Sequence, residues 1–306
     1  GSALVLTMEI AANGDIFLWD LRSDHFIEHV NGSGTWTEQY PNINHAFVYS
    51  VNESVKNDQV SMTSNAFFHK KGSGAGWEYT DSIGGYNYEM KYSPDGDLYI
   101  NRRTDIQYST DNGATFTAIE LPEDELFNSV YSLEVLDNDI LFILDGYFGQ
   151  CYYSLNNGHN WVKTAISSLY QHPKVKLVNN YIIIADLDFQ YAVTRINLAT
   201  GQVESESVGG FYTFEYGGSA ILDDGTIYFQ ASDFNGMQNK GLFRYRFGEE
   251  LEFIGQFDQL IYINTFAASG LDLFAFSSGE YYVLNGSSLE TLEYTGLPGT
   301  DWKPIL

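Results

Sequence analysis

A hairpin signal recurs along the chain at nearly constant spacing, and this feature constrains the fold more than any other. Each copy places Asp or Asn just before a short run of β-branched and aromatic residues, as in Asn13-Gly14-Asp15 and Asp95-Gly96-Asp97. The equivalent apolar positions are Ile16, Val60, Leu98, Ile140, Ile182, Ile227 and Leu273. Their spacings are 44, 38, 42, 42, 45 and 46 residues. A period of about 40–50 residues with several short strands per unit is typical of a β-propeller blade.

The sequence therefore predicts an all-β fold, a single seven-bladed β-propeller of four-stranded antiparallel blades. Tyr (23 residues) and Phe (21 residues) are abundant, which suits strands whose large side chains fill the space between facing sheets. No segment shows apolar residues at helical spacing. We interpret residues 1–2 as a cloning remnant and residues 3–306 as one domain. The predicted blades cover about residues 3–41, 42–85, 86–125, 126–169, 170–210, 211–258 and 259–306.

The charge balance narrows the classes of partner. The chain carries 40 Asp and Glu against 15 Lys and Arg, a formal net charge of −25. Such a surface repels phosphate backbones, so we expect no nucleic-acid partner. No run of 18 apolar residues occurs, so we expect no direct membrane insertion. Cys151 is the sole cysteine, which excludes an intrachain disulfide and a thiolate metal cluster.

Two segments carry a family resemblance. Ser109-Thr110-Asp111-Asn112-Gly113-Ala114-Thr115-Phe116 resembles the Asp-box (BNR) repeat, Ser-x-Asp-x-Gly-x-Thr-Trp, with Phe in the place of Trp. Ser154-Leu155-Asn156-Asn157-Gly158-His159-Asn160-Trp161 is a weaker copy. The chain thus resembles the superfamily of Asp-box propellers, which includes sialidases and sortilin-type ectodomains. The resemblance implies structural roles for Ser109, Asp111, Gly113, Phe116, Asn156, Gly158 and Trp161.

The chain does not resemble a true sialidase in its chemistry. Sialidases need three arginines converging on the substrate carboxylate, and this chain has only six arginines in total. Arg102 and Arg103 are neighbours, so on a strand their side chains would point to opposite faces. The Phe/Tyr-Arg-Ile-Pro segment of sialidases is missing, and seven predicted blades differ from the six of that family.

The topology predicts where a ligand site would lie. If the first and third connections of each blade are tight turns, the longer loops between second and third strands share the opposite face, and five of the seven carry Asp. There we expect arginines to pair with an anionic group, aspartates to accept hydroxyl or amine hydrogen bonds or to bind Ca²⁺, and aromatics to give apolar contact. The candidate ligand-binding residues are Arg22, Arg102, Arg103, Asp105, Asp145, Tyr147, Phe148, Asp186, Asp188, Phe189, Asp233 and Phe234. The structural alternative is that each Asp caps its own loop and each aromatic packs between blades.

These observations predict a non-catalytic recognition module that binds a glycan or a protein at the loop-rich face. We assign no catalytic residue and expect no cofactor other than Ca²⁺. The predicted location is secreted or cell-surface, including a periplasmic or outer-membrane lipoprotein, with a leader outside this sequence. One alternative is a polysaccharide-active hydrolase or lyase that uses paired Asp carboxylates at the channel mouth, because glycosidases need two carboxylates about 5–10 Å apart. Another is an assembly scaffold whose partner docks on blade edges, which exposed apolar patches on the outer strands would indicate.

Overall fold

The structure is a computed structural model of the 306-residue chain. It describes residues 6–10, 15–20, 25–30, 36–39, 48, 50–54, 59–63, 67–71, 76–80, 89–124, 127–145, 150–164, 166, 173–187, 192–209, 211–213, 219–233, 241–256, 265–269, 272–277, 280–285 and 288–292. Two compact units can be distinguished, Glu9–Ser168 with Asp301–Leu306, and Leu169–Thr300 with Gly1–Met8. Each is described by itself below.

The unit built on Glu9–Ser168 contains four sheets, except that the first three residues of sheet I, Leu6–Met8, belong to the other unit. In each of these sheets neighbouring strands follow the chain order. Sheet I consists of β1 (Leu6–Ile10), β2 (Ile16–Asp20), β3 (Phe26–His29) and β4 (Trp36–Gln39). Sheet II consists of β5 (Ser50–Ser54), β6 (Gln59–Thr63), β7 (Phe67–Lys71) and β8 (Glu78–Thr80). Sheet III consists of β9 (Glu89–Tyr92), β10 (Leu98–Asn101), β11 (Ile106–Ser109) and β12 (Thr117–Ile119). Sheet IV consists of β13 (Val130–Val135), β14 (Leu141–Asp145), β15 (Cys151–Ser154) and β16 (Val162–Lys163).

The unit built on Leu169–Thr300 contains three further sheets. Sheet V consists of β17 (Lys174–Val178), β18 (Tyr181–Asp186), β19 (Ala192–Asn197) and β20 (Val203–Ser207). Sheet VI consists of β21 (Phe211–Thr213), β22 (Ser219–Ile221), β23 (Ile227–Asp233), β24 (Gly241–Tyr245) and β25 (Glu252–Gln256). Sheet VII consists of β26 (Thr265–Ser269), β27 (Asp272–Ser277), β28 (Glu280–Asn285) and β29 (Ser288–Leu292).

The prediction of seven four-stranded blades is wrong. Five sheets, II, III, IV, V and VII, are four-stranded ladders whose antiparallel register is described for every strand pair. In sheet I the register is described only for β2, β3 and β4. Sheet VI has five strands, because β21 and β22 both pair with the seven-residue strand β23. The sequence between β21 and β22 contains Gly217-Gly218, and glycine weakens the interior of a strand.

The hydrophobic core of the first unit lies where neighbouring sheets face each other. Strand β10 is buried on both faces, as its side-chain alternation requires. Leu98 and Ile100 pack with Phe67 of sheet II, whereas Tyr99 packs with Leu133 of sheet IV. This two-sided burial explains why the second strands are short runs rich in Leu, Ile, Tyr and Phe. Within the described residues, no helix is long and apolar enough to cross a membrane.

Candidate functional site

The structure places two of the predicted ligand-binding aspartates in buried positions. Asp145 ends β14 and Asp186 ends β18, and each residue is 2 % exposed. The Asp145 Oδ1 atom accepts hydrogen bonds from the backbone N–H groups of Asn128 (3.4 Å) and Ser129 (3.3 Å). Asp145 thereby holds the segment that leads into β13, which is the capping contact that Asp provides in loops.

A short polar residue closes the second strand of six sheets and β23, the strand at the equivalent position of sheet VI. These strand ends are Asp20, Thr63, Asn101, Asp145, Asp186, Asp233 and Ser277. Asn101 is fully buried, and its Oδ1 atom accepts a hydrogen bond from the backbone N–H of Arg103 at 2.8 Å. Asp thus recurs in the sequence because a short polar residue recurs at these strand ends. This structural position explains the recurrence without a shared ligand.

Arg102 and Asp105 contact each other across their own loop. The Arg102 backbone N–H donates to the Asp105 carbonyl at 3.0 Å, and Arg102 Nη1 lies 3.4 Å from Asp105 Oδ2. Gln107 Nε2 donates to the same carboxylate oxygen at 2.6 Å. Arg103 is exposed and has a left-handed backbone with φ of 68°. An anionic ligand of Arg102 would therefore compete with Asp105, while the Arg103 guanidinium lies at the surface.

The side chains of the other predicted loop-face residues fall outside the described part of the chain. For Asp233 the structure describes only the backbone at the end of β23. The remaining ones are Arg22, Tyr147, Phe148, Asp188, Phe189 and Phe234. Their roles stay predictions. Among the described residues, no group of three or more His, Cys, Asp or Glu side chains could hold a metal ion, and Ca²⁺ binding at the loop face also stays a prediction.

The turn between β11 and β12, residues 109–116, is built by one serine and one aspartate. Ser109 Oγ donates to Asp111 Oδ1 at 2.8 Å and accepts the backbone N–H of Gly113 at 2.8 Å. Asp111 accepts the backbone N–H of Thr115 at Oδ1 (2.8 Å) and the Thr115 hydroxyl at Oδ2 (2.6 Å). The hydrogen bonds from Thr115 and then Ser109 lower the pKa of Asp111, because they favour its ionised form.

The turn between β15 and β16, residues 154–161, repeats this arrangement with an amide in place of the carboxylate. Ser154 Oγ donates to Asn156 Oδ1 at 3.0 Å and accepts the backbone N–H of Gly158 at 2.8 Å. Asn156 Oδ1 accepts the backbone N–H of Asn160 at 2.9 Å. The two turns therefore share these three hydrogen bonds at equivalent positions, and the first turn has in addition the bond from the Thr115 hydroxyl to Asp111.

Both turns require glycine at the same position. Gly113 has φ of 83° and Gly158 has φ of 81°, a left-handed conformation that side chains disfavour. A Cβ atom at Gly158 would lie 2.1 Å from Ile119 Cγ2, and one at Gly113 would lie 2.5 Å from Phe67 Cε1. Gly113 thus lets its turn approach β7, the third strand of sheet II, and Gly158 lets its turn approach β12, the last strand of sheet III.

The aromatic residues that end the two turns have different surroundings. The Phe116 ring meets the ring of Phe67 edge to face, with centroids 5.9 Å apart. Trp161 instead donates its indole N–H to the Glu120 carbonyl oxygen at 2.7 Å, and its Cζ2 atom faces Gly158. The indole ring is half-buried, and its orientation is fixed at one edge by this hydrogen bond.

A cavity of about 710 Å³ opens beside Trp161, between the segment that follows β12 and the outer strands of sheet IV. We call it the outer groove. Its lining residues are Glu120, Leu121, Pro122, Glu123, Asp124, Tyr152, Gly158, His159, Asn160, Trp161 and Lys163. Its volume is in the range of small-ligand sites. Its lining is more polar than apolar, and Leu121, Pro122 and Trp161 contribute to the apolar part.

Asp124 is the electrostatic centre of the outer groove. Lys163 Nζ lies 2.8 Å from Asp124 Oδ2, and the Tyr152 hydroxyl donates a hydrogen bond to the same oxygen at 3.0 Å. Burial, and then the hydrogen bond to Asp124, raise the pKa of Tyr152 above its usual range, so the phenol remains a neutral donor. Glu120 and Glu123 are exposed at the rim, and the structure records no ion pair for either carboxylate among the described residues.

A second polar cluster joins the first strands of sheets III and IV. Glu89 Oε2 accepts the Leu133 backbone N–H at 2.7 Å, and Lys91 Nζ lies 3.3 Å from Glu134 Oε2. Burial, opposed by the charge of Lys91 and assisted by that of Glu134, raises the pKa of Glu89 to about 7. The cluster therefore links the first strands of the two sheets through a buried carboxyl group whose pKa is raised by its burial.

Sequence reasoning did not identify the outer groove. It assigned Trp161 a structural role and placed the ligand site on the face with the longer loops. The available signal was the segment Glu120-Leu121-Pro122-Glu123-Asp124, where proline and carboxylates follow a strand directly. That segment lies about 40 residues before Trp161, and only the fold brings the two together.

Comparisons with known proteins address the fold. No protein-family model and no curated protein sequence matches this chain. Virginiamycin B lyase from Staphylococcus aureus is similar in structure, with a TM-score of 0.65, 12% identity, and coverage of 88% of this chain and 90% of that chain. YCF48 from Cyanidioschyzon merolae has a TM-score of 0.63 at 11% identity, covering 90% of this chain and 93% of that chain. The GH74 enzyme of Niastella koreensis has a TM-score of 0.59 at 15% identity, covering 92% of this chain but 43% of that chain.

At such low identity these similarities show the fold alone. The three structures are β-propellers, and they include enzymes as well as proteins of other kinds. The chain therefore has an all-β propeller fold.

Proposed function

We propose that this chain is a recognition module of the Asp-box type, which binds a protein partner through the outer groove. The observation that carries the proposal is the position of Trp161 at the wall of a cavity of about 710 Å³, with its indole N–H bonded to the Glu120 carbonyl oxygen at 2.7 Å. Tryptophan is enriched among the residues that dominate binding energy at protein interfaces.

The groove is prepared for binding before a partner arrives. Trp161 is held by its hydrogen bond, and Tyr152 and Lys163 are held by Asp124. Side chains that are already ordered lose little conformational entropy when a partner binds. Leu121 and Pro122 add apolar contact surface next to the indole ring. A partner would therefore bury apolar surface against Trp161 with little loss of side-chain conformational entropy in the groove.

Propellers of similar structure offer precedents for protein partners. One is YCF48 bound to D1 peptide, with a TM-score of 0.56 at 12% identity, covering 80% of this chain and 81% of that chain. Another belongs to the Mitotic Checkpoint Complex, with a TM-score of 0.64 at 12% identity. A glycan is the competing ligand, because a half-buried aromatic ring in a groove lined by acidic residues also suits a sugar. A secreted or cell-surface location remains part of the proposal.

The test is a binding screen of the purified chain on a peptide array and on a glycan array, repeated with Trp161→Ala. We expect peptide ligands whose affinity falls about tenfold or more in this variant. Val162→Ala is the matched control, because Val162 is the next residue, is exposed, and lies outside the lining of the groove.

Each other outcome counts against the proposal in a defined way. Peptides that bind both variants equally would move the site away from the outer groove. Ligands found only on the glycan array, and lost with Trp161→Ala, would replace the protein partner with a carbohydrate. The absence of any ligand on both arrays would overturn the recognition function.

A further inference from the structure

The charges at the rim of the outer groove are unbalanced. Asp124 is paired with Lys163 at 2.8 Å. Glu120 and Glu123 are exposed, and within the described residues neither carboxylate has a recorded cationic neighbour. The lining of the groove thus includes Trp161 and two exposed glutamates that have no ion pair among the described residues, in a chain whose formal net charge is −25.

We infer that the outer groove binds a basic peptide segment, with an Arg or Lys side chain of the partner against Trp161 and its charge directed toward Glu120 and Glu123. The inference rests on the proposed function, since it specifies the chemistry of the partner in the same groove. Tryptophan is the most favourable ring for a cation, and a carboxylate beside it adds charge attraction.

The same charges disfavour other occupants. An acidic or phosphorylated segment would meet the two glutamates and the field of the whole chain, which attracts cations and repels anions. A neutral sugar would fill the cavity but would leave the carboxylates without a counter-charge. The apolar residues Leu121 and Pro122 suit the aliphatic stem of an Arg or Lys side chain, which packs along apolar surface while its charged end stays polar.

The first arm of the test uses a fluorescein-labelled peptide, Gly-Ser-Leu-Arg-Leu-Arg-Ser-Gly, and fluorescence polarisation. A matched peptide carries citrulline in place of both arginines, which keeps the shape and removes the charge. We expect the arginine peptide to bind about tenfold more tightly than the citrulline peptide. Its affinity should fall as NaCl rises from about 0.05 to 0.5 M, because salt screens exposed charges.

The second arm uses the double variant Glu120→Gln with Glu123→Gln. We expect it to weaken the arginine peptide about tenfold and to leave the citrulline peptide unchanged. The control is Glu249→Gln with Glu250→Gln, which removes the same charge from two exposed residues between β24 and β25, outside the groove lining. This control should change the affinity little.

The outcomes separate this inference from the function on which it rests. Equal affinity of the two peptides, equal effects of the two double variants, or no binding of the arginine peptide would overturn the basic-segment inference. If array ligands nevertheless depend on Trp161, the proposed function stands with a different partner chemistry. If no array ligand depends on Trp161, both proposals fail together.

Discussion

The turns at residues 109–116 and 154–161 have the same framework and different outer walls. In both, a serine hydroxyl accepts the N–H of a left-handed glycine at 2.8 Å, and a side-chain oxygen accepts a second backbone N–H at 2.8 or 2.9 Å. The closing aromatic then packs on a ring in the first turn and borders an open cavity in the second. The comparison shows that the shared hydrogen bonds determine the conformation of the turn, while the aromatic residue that ends it can have different contacts in each turn.

The contact behind each glycine explains why the framework is shared. Gly113 faces Phe67 of sheet II, and Gly158 faces Ile119 of sheet III. In each case the turn of one sheet approaches a buried residue of the preceding sheet. The turns therefore contribute to packing between sheets, and this requirement is independent of any ligand.

The largest expected effect comes from filling the glycine position. Gly158→Ala should lower the free energy of unfolding by about 2–4 kcal/mol, because a left-handed backbone disfavours Cβ and the added atom overlaps Ile119. The added Cβ would lie 2.1 Å from Ile119 Cγ2. Gly113→Ala should behave similarly against Phe67. Urea unfolding measures both.

Gly248→Ala is the matched control for this prediction. Gly248 has φ of 81°, nearly the value of Gly158, but no atom lies within 4 Å of its added Cβ. Gly248→Ala should therefore lower the free energy of unfolding only by the cost of a left-handed backbone at alanine, about 1 kcal/mol. Equal losses for Gly158→Ala and Gly248→Ala would show that close approach to the preceding sheet does not matter.

The next effect separates the two aromatic residues. Phe116→Ala should cost about 2–3 kcal/mol, because it removes a ring from the seam between sheets II and III and leaves Phe67 without its edge-to-face neighbour. The ring centroids are 5.9 Å apart. The same substitution should leave ligand affinity at the outer groove unchanged, as measured with the peptides above. A loss of affinity with intact folding would contradict the separate roles of the two positions.

A smaller effect is expected for Trp161→Phe, which makes the second turn resemble the first. It removes the indole donor from the Glu120 carbonyl, and the lost hydrogen bond should cost about 1 kcal/mol. The ring then loses the hydrogen bond that orients it, so the free energy of peptide binding should fall by more than the free energy of unfolding does. Urea unfolding and fluorescence polarisation measure the two parts. An unchanged affinity would show that the orientation of the indole does not contribute to binding.

The sequence predicted the repeating sheets and the two turns for a clear physical reason. Strand alternation and turn residues are local, so the signals around Asp95-Gly96 and Ser109–Phe116 lie within one segment. The extra strand β22 was missed because pairing of two short segments with one long strand depends on β23, a different segment.

The candidate site was harder to predict because the residue types that bind ligands also have purely structural roles. An Asp that ends a strand and caps a neighbouring segment, as Asp145 does, has the same sequence signature as an Asp that binds a ligand. The outer groove depends on residues 120–124 meeting Trp161 and Lys163, about 40 residues away. No local pattern encodes that approach, so the groove emerges only with the packing of sheets III and IV.

The smallest expected effect distinguishes the carboxylate of the first turn from the amide of the second. Hydrogen bonds from Thr115 and Ser109 lower the pKa of Asp111 below its usual value of about 3.9. The stabilisation from Asp111 is therefore complete above about pH 4 and is lost as the pH falls through the lowered pKa. Asn156 does not titrate, so the second turn should keep its framework in acid.

Exchanging the two side chains tests this difference directly. Asp111→Asn should make the decline of Tm between about pH 4 and pH 2 shallower, and Asn156→Asp should make it steeper, because the new carboxylate gains hydrogen bonds from Ser154 and Asn160. Asp95→Asn is the control, since Asp95 is exposed and loses the same charge outside either turn. If Asp111→Asn and Asp95→Asn change the acid decline equally, net charge governs it. A change confined to the turn variants would show that one framework accepts either oxygen and that only the carboxylate makes it sensitive to acid.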